Sequence, residues 1–256
     1  MAWTRYVAIG DSFTEGLGDH YPDGGPRGWA DRLAEGLAAD ADGVSYANLA
    51  IRGRLLDPIL HEQLPAALSL EPDLVSMSGG GNDMLRPGAD TGALVAKLDD
   101  AVARVRATGA DVLLFTAVDP VGSPVIRLTR SRVEAFSDQI RLIAARHGAY
   151  VVDQWQMDVL SDWRMWTVDR LHMSPAGHRR VALAALETLG VKADDWRGPA
   201  LAPLPELSRG ARALWNARWA RGYLAPWVGR RLRGRSSGDQ ITAKRPVLAP
   251  VVAHSE

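Results

Sequence analysis

The stretch VAIGDSFTEG, residues 7–16, ends an apolar run in Gly10, Asp11 and Ser12. A serine placed there can carry out acyl transfer if the rest of the chain supplies its partners. A hydroxyl is a poor nucleophile until a base removes its proton in the transition state, and a histidine does this near neutral pH. That histidine needs a carboxylate to fix its tautomer and to stabilise the imidazolium that forms. The tetrahedral intermediate needs donors aimed at its oxyanion, and losing one typically costs ~10²–10³ in turnover. His172 and Asp169 fill the roles of base and orienting acid, at a spacing of i, i+3. The backbone N–H groups of Ser12 and Gly53 and the side-chain amide of Asn82 fill the donor roles. Glycine at 53 lets backbone approach a substrate closely.

These residues need a scaffold that brings them together. Apolar runs at Tyr6–Ile9, Ser45–Ala50, Leu74–Ser78, Val112–Ala117 and Tyr150–Asp153 read as strands. Helical patterns fall near Gly28–Ala39, Leu55–Leu68, Ala93–Ala107, Arg127–His147 and Pro175–Leu189. Strands such as DVLLFTA are apolar at consecutive positions, as expected when helices cover both faces of a parallel sheet. The alternation predicts a three-layer α/β domain with right-handed crossovers, in which sites gather at the carboxyl ends of the strands. Every polar cluster falls there: GDS after the first strand, NLAIRG with the second, SGGGNDM after the third, and VDRLHMSPAGH before the last helix. Ser174 as N-cap and Pro175 in the first turn predict a helix start that gives the Asp169–His172 loop a firm base.

Composition bounds the rest. The 256 residues carry 30 basic and 30 acidic side chains, so the whole molecule has no bias towards nucleic acid, and none is expected as a partner. Cysteine is absent, which removes disulfides and thiolate chemistry. The histidines lack ligand spacing, so neither a metal nor another cofactor is expected. GGGND lacks the lysine of a P-loop and the spacing of a dinucleotide fingerprint. Arg5 interrupts the first apolar run, which does not read as a secretory signal, and no run reaches the length of a membrane span; a cytoplasmic location is the expectation. The alternation stops near Gly190. Residues 191–256 hold twelve Lys/Arg against five Asp/Glu, with Trp196, Trp215, Trp219 and Trp227. A helix is predicted from Leu207 to Tyr223, with Leu214, Trp215, Arg218 and Trp219 near one side, and a solvated basic tail beyond about Arg230. The segment reads as a strap that packs its tryptophans on an acidic body. The alternative is a module touching an anionic surface.

GDSFTEG, NLAIRG, GGND and DRLH match, in order, the four blocks of the SGNH hydrolase family, the GDSL esterases and lipases, and the resemblance covers about residues 5–190. It implies a flavodoxin-like α/β/α sandwich, here with a mostly parallel five-stranded sheet, as a catalytic domain over 1–190, followed by the basic, Trp-rich extension over 191–256. It implies hydrolysis of a small-molecule acyl ester through an acyl-serine, with Ser12 as nucleophile, Gly53 and Asn82 as oxyanion donors, and Asp169 and His172 completing the triad. Phe13 departs from the leucine of the GDSL name. The C-terminal segment resembles that of actinobacterial members. A thioesterase, a lysophospholipase or a carbohydrate deacetylase would use the same site, and a binding module would keep the fold without the chemistry.

The remaining polar and aromatic residues have quieter readings. Asp11 and Asp83 are expected to orient the loops or to form local turns. His178 reads as a partly exposed structural histidine, and His147, before Gly148, as a partner of a helix C-terminus. Asp19 and His20 read as a solvated loop, with a lining of the site entrance as the alternative. Trp155, Trp163, Met165 and Trp166 read as core or cover, with an apolar acyl pocket as the alternative.

Overall fold

A computed structural model describes residues 3–251 apart from 42, 121–125, 200, 206, 227–228, 230–232 and 234–235; Trp227 therefore lies outside the described residues. In chain order the elements are β1 (Arg5–Ile9), α1 (Ser12–Glu15), α2 (Gly28–Asp40), β2 (Ser45–Asn48), α3 (Leu56–Pro58), a π-helical turn (Ile59–Gln63), α4 (Leu64–Ser69) and β3 (Leu74–Met77). There follow α5 (Gly81–Met84), α6 (Thr91–Ala107), β4 (Asp111–Phe115), α7 (Arg130–His147), β5 (Tyr150–Val152), α8 (Pro175–Thr188), α9 (Arg209–Trp219) and β6 (Arg245–Pro250). The sheet order is β5-β4-β3-β1-β2-β6, with β1 to β5 parallel.

The strands bury both faces, which explains their unbroken apolar runs. Tyr6 and Ala8 of β1 face one core with Trp29 and Leu33 of α2 and Val181 of α8. Val7 and Ile9 face the other, with Ile59, Leu64, Val102 of α6 and Phe136 of α7. The helix ends obey local chemistry. Ser174 Oγ accepts from Gly177 N at 3.3 Å and Pro175 opens α8. Gly148, at φ 61°, stops α7 in the left-handed conformation that glycine tolerates.

The sheet has six strands rather than the expected five. Within the stretch beyond Arg230, expected as a solvated tail, residues 245–250 instead form β6, which runs antiparallel along β2 with Ser45 opposite Pro250 and Asn48 opposite Arg245. Proline lacks the N–H a central strand must donate, but an outermost strand tolerates it. Lys244, just before β6, pairs with the buried Asp31 and also donates to Pro26 O at 3.1 Å and to Arg27 O. Among the described residues no helix is long and apolar enough to cross a membrane.

Candidate active site

In open parallel sheets the ligand crevice opens where the strand order reverses, between the first strand and its two neighbours. Here that point lies between β1 and β3, and Ser12 and Asn82 follow those two strands.

Gly10 leaves β1 in very close quarters: a Cβ there would come within 2.6 Å of both Thr14 Oγ1 and Ser78 O. The π-helical turn delivers Gln63, whose amide takes Gly10 N at 2.8 Å and gives to Gly10 O at 2.9 Å. One side chain thus satisfies the backbone just before the nucleophile block. Asp11 caps α1 by accepting from Phe13 N at 3.1 Å. Phe13 stacks on Trp29 and meets Phe115 edge-on, with ring centroids 5.3 and 5.7 Å away. The position after Ser12 is therefore a core anchor, and an apolar ring serves there as well as an aliphatic chain.

The loop after β2 is clamped from below. Arg52 N donates to Glu15 Oε2 at 2.7 Å, its guanidinium pairs with the same buried carboxylate, and Gly53 follows at φ 73°, where a side chain would be strained. Asn82 Nδ2 donates to Asp11 Oδ2 and to Arg54 O, both at 3.0 Å, and so ties the first and third sequence blocks to the residue that follows the second. With both amide protons so engaged, donation to an oxyanion requires Asn82 to release one partner. Burial is the largest influence on Asp11 and pushes its carboxyl up to about 6, against the Phe13 N–H bond, the His172 charge and the Asn82 amide. Asp83 accepts from Leu56 N at 3.0 Å and ties the β3 loop to α3 without lining the cavity.

Asp169 and His172 are in contact. His172 Nδ1 lies 2.6 Å from Asp169 Oδ2, and Asp169 Oδ1 accepts from Thr167 Oγ1, Leu171 N and His172 N at 2.7, 2.9 and 3.0 Å. Burial alone would raise Asp169, but the His172 ring bond and charge and these further donors outweigh it, and the carboxyl sits well below the usual range. A histidine held at Nδ1 presents Nε2 to its surroundings.

Ser12, Gly53, Asn82, Asp169 and His172 line one cavity of about 390 Å³. Buried apolar side chains, Met84, Phe115, Val133, Phe136 and Ile140, contribute to its lining. Trp163 and Trp166 line it too, whereas Met165 is core and Trp155 packs on the opposite core. Trp166 Nε1 donates to Leu160 O at 2.7 Å. Tyr223, Ser236 and Ser237 also line the cavity. Nothing in the sequence motifs pointed to them, because their approach depends on how the C-terminal segment wraps.

Two histidines outside the pair are structural. His178 is fully buried rather than partly exposed: Trp29 N donates to its Nδ1 at 3.1 Å and its Nε2 meets Leu17 O at 3.0 Å. Burial pushes it down to about 4. His147 pairs with Asp99 at 2.8 Å, a specific partner beyond the helix dipole. Asp19 is buried on Arg32 at 2.8 Å rather than solvated, while its neighbour His20 is exposed.

The GDSL-like lipase/acylhydrolase family model matches residues 8–180. Among solved structures, TesA is 29% identical, with a TM-score of 0.60 over 72% of this chain and 97% of its own. LAE5, an α/β hydrolase enzyme from the metagenome of Lake Arreo, Spain, is 24% identical, with a TM-score of 0.62 over 73% and 95%. Axe2, an acetylxylan esterase from Geobacillus stearothermophilus, is 21% identical, with a TM-score of 0.63 over 77% and 98%; at such identities the likeness concerns the fold. No curated protein matches the chain. The family match spans well over half of the sequence and contains all four motif blocks: the chain belongs to the GDSL-like lipase/acylhydrolase family and is an ester-hydrolysing enzyme.

Proposed function

We propose that Ser12 is the nucleophile, His172 its base and Asp169 the residue that orients the base. His172 takes the Ser12 proton as the hydroxyl oxygen attacks the acyl carbonyl. The oxyanion is held by the N–H groups of Ser12 and Gly53 and by Asn82 once its amide releases a partner. Collapse expels the alcohol, which receives the proton from His172, and leaves an acyl-serine. Water, deprotonated by His172, then releases the acid. The observation that carries this reading is the 2.6 Å Asp169–His172 pair on the wall of the cavity that Ser12 lines. The buried apolar side chains in the lining favour a substrate with an extended acyl chain over an acetyl ester. A thioester, a lysophospholipid or an acylated sugar would meet the same catalytic groups. Residues 1–190 would form the catalytic domain and 191–256 its extension, of the kind the sequence shares with actinobacterial members.

Hydrolysis of p-nitrophenyl esters from acetate to palmitate by wild type and Ser12→Ala tests the reading. Ser12-dependent turnover rising beyond acetate is expected; retained turnover in a folded Ser12→Ala protein refutes it. Contact of the basic extension with an anionic surface is a second reading. It is favoured by Arg209, Arg212 and Arg218 on α9 beside the exposed Leu214 and Trp215. Sedimentation with anionic against neutral vesicles separates the two cases.

A further inference from the structure

The loop that carries Asp169 and His172 contains a strained residue. Arg170 stands at φ 59°, a left-handed conformation that a side chain of its size seldom adopts. Such strain persists where the surroundings over-determine it. The surroundings here come from α9. The Arg170 guanidinium lies over the Trp215 ring, 3.6 Å from its centroid, with Trp219 at 4.9 Å and Trp163 at 5.6 Å. Its Nη1 donates to Asn216 Oδ1 at 2.8 Å, while Nε and Nη2 are buried without a hydrogen-bond partner. Ring faces stand where acceptors would be, which suits a guanidinium better than an ammonium. One residue earlier, Trp219 Nε1 donates to Asp169 O at 2.7 Å. Helix α9 thus grips two consecutive residues of the acid–base loop.

The same C-terminal segment reaches the opposite wall. Ser236 N donates to Asp239 Oδ2 at 2.9 Å and Ser236 Oγ accepts from Gly238 N at 3.2 Å, which fixes a tight turn. Gly238 lies so close to Arg52 O that a Cβ there would come within 2.1 Å of it, and Ser236 Oγ occupies the space a Cβ on Gly53 would need. Beyond the turn, Lys244 and β6 fasten the chain to α2 and β2. The C-terminal side of each of these contacts, from α9 to β6, lies past residue 180, outside the family match.

We propose that the C-terminal segment is part of the catalytic apparatus: Trp219 and the Arg170 cage position the acid–base loop, and the 236–239 turn positions the oxyanion loop. The proposal rests on the roles given above to Ser12, Asp169, His172 and Gly53. Trp219 and Arg170 are positioning residues, acting through Asp169. A strap that served stability alone would change melting temperature, and activity only in proportion to the unfolded fraction.

Trp219→Phe keeps an aromatic, though smaller, ring and removes the N–H that reaches Asp169 O. The expected result is a 5- to 10-fold fall in kcat on a p-nitrophenyl ester, with KM within twofold and melting temperature nearly unchanged. The downfield proton resonance of the short His172–Asp169 bond should shift or broaden in the same variant. Gly238→Ala, which forces the turn off Arg52 O, is expected to lower kcat at least 10-fold by the other route. Normal kcat and an unmoved resonance in Trp219→Phe would overturn the acid–base half of the proposal, and normal kcat in folded Gly238→Ala the oxyanion half. Loss of activity that tracks loss of fold in both variants would overturn the whole. Failure of the underlying reading looks different: Ser12→Ala would then stay active whatever the C-terminal variants do.

Discussion

Replacing Asp169 by asparagine should separate its chemical from its structural work. Asparagine keeps an Oδ1 acceptor for Thr167 Oγ1, Leu171 N and His172 N, the three donors that shape the loop. It replaces the oxygen that meets His172 Nδ1 with an N–H donor. The imidazole must then place its proton on Nε2, the atom that has to accept from Ser12. By the precedent of serine-protease triads this costs ~10⁴ in kcat, or about 5.5 kcal/mol of barrier. Alanine at the same position also strands the three donors, each worth ~0.5–1.5 kcal/mol, so it should lose about 3 kcal/mol of stability that asparagine retains. The depressed Asp169 carboxyl adds a pH signature. Its stabilisation is fully present above the unfolded carboxylate pKa near 4 and is lost on acidification towards the lower folded value. Urea midpoints at pH 7 and pH 3 for wild type and both variants, beside kcat on p-nitrophenyl butyrate, measure all three effects. An asparagine variant keeping more than a tenth of wild-type kcat would refute the triad assignment. Equal destabilisation by asparagine and alanine would refute the account of the loop.

Three further outcomes are expected. His178, buried and held near 4, forces the unfolded state to bind more protons than the folded one between about pH 4 and 6.5, so stability should fall as pH drops through that window. His178→Asn should lose that slope in urea melts; an unchanged slope would assign the acid sensitivity elsewhere. Gly53→Ala, strained at φ 73° and overlapping Ser236 Oγ, should lower kcat by about 10² at modest cost in melting temperature, because an oxyanion donor is displaced. Lys244→Met leaves Asp31 buried without its cation and should cost about 3–5 kcal/mol at pH 8. The loss should shrink at pH 5, because burial already raises Asp31 to about 6 and protonation then relieves the charge; an equal loss at both pH values would count against a charge effect.

The five parallel strands and the helices between them were legible because a doubly covered sheet imposes continuous apolar runs on its strands. The meeting of Ser12, Gly53, Asn82, Asp169 and His172 on one cavity could be anticipated because they sit in short blocks beyond the strands, and the Asp169–His172 contact spans only one turn of chain. Strand β6 was not legible. RPVLAP carries two prolines in six residues, and what makes it a strand is an open edge on β2, far away in sequence. The grip of Trp219 on Asp169 was equally hidden, since it depends on where α9 comes to rest. His178 was misjudged as partly exposed because a lone histidine on a helix gives no sign that Trp29 and Leu17 will enclose it.

The place of β6 in the sheet has a consequence for biosynthesis. Strand β2 is made early, at residues 45–48, while the strand that covers it begins at residue 245. At about 5–20 residues per second the ribosome needs ~10–40 s to cover that distance. For that interval the nascent chain carries an open β edge, the kind of surface on which chains pair wrongly. The segment that closes the edge belongs to the same stretch of chain as α9 and the 236–239 turn, so the contact of Trp219 with Asp169 and the approach of Gly238 to Arg52 also form only late in synthesis.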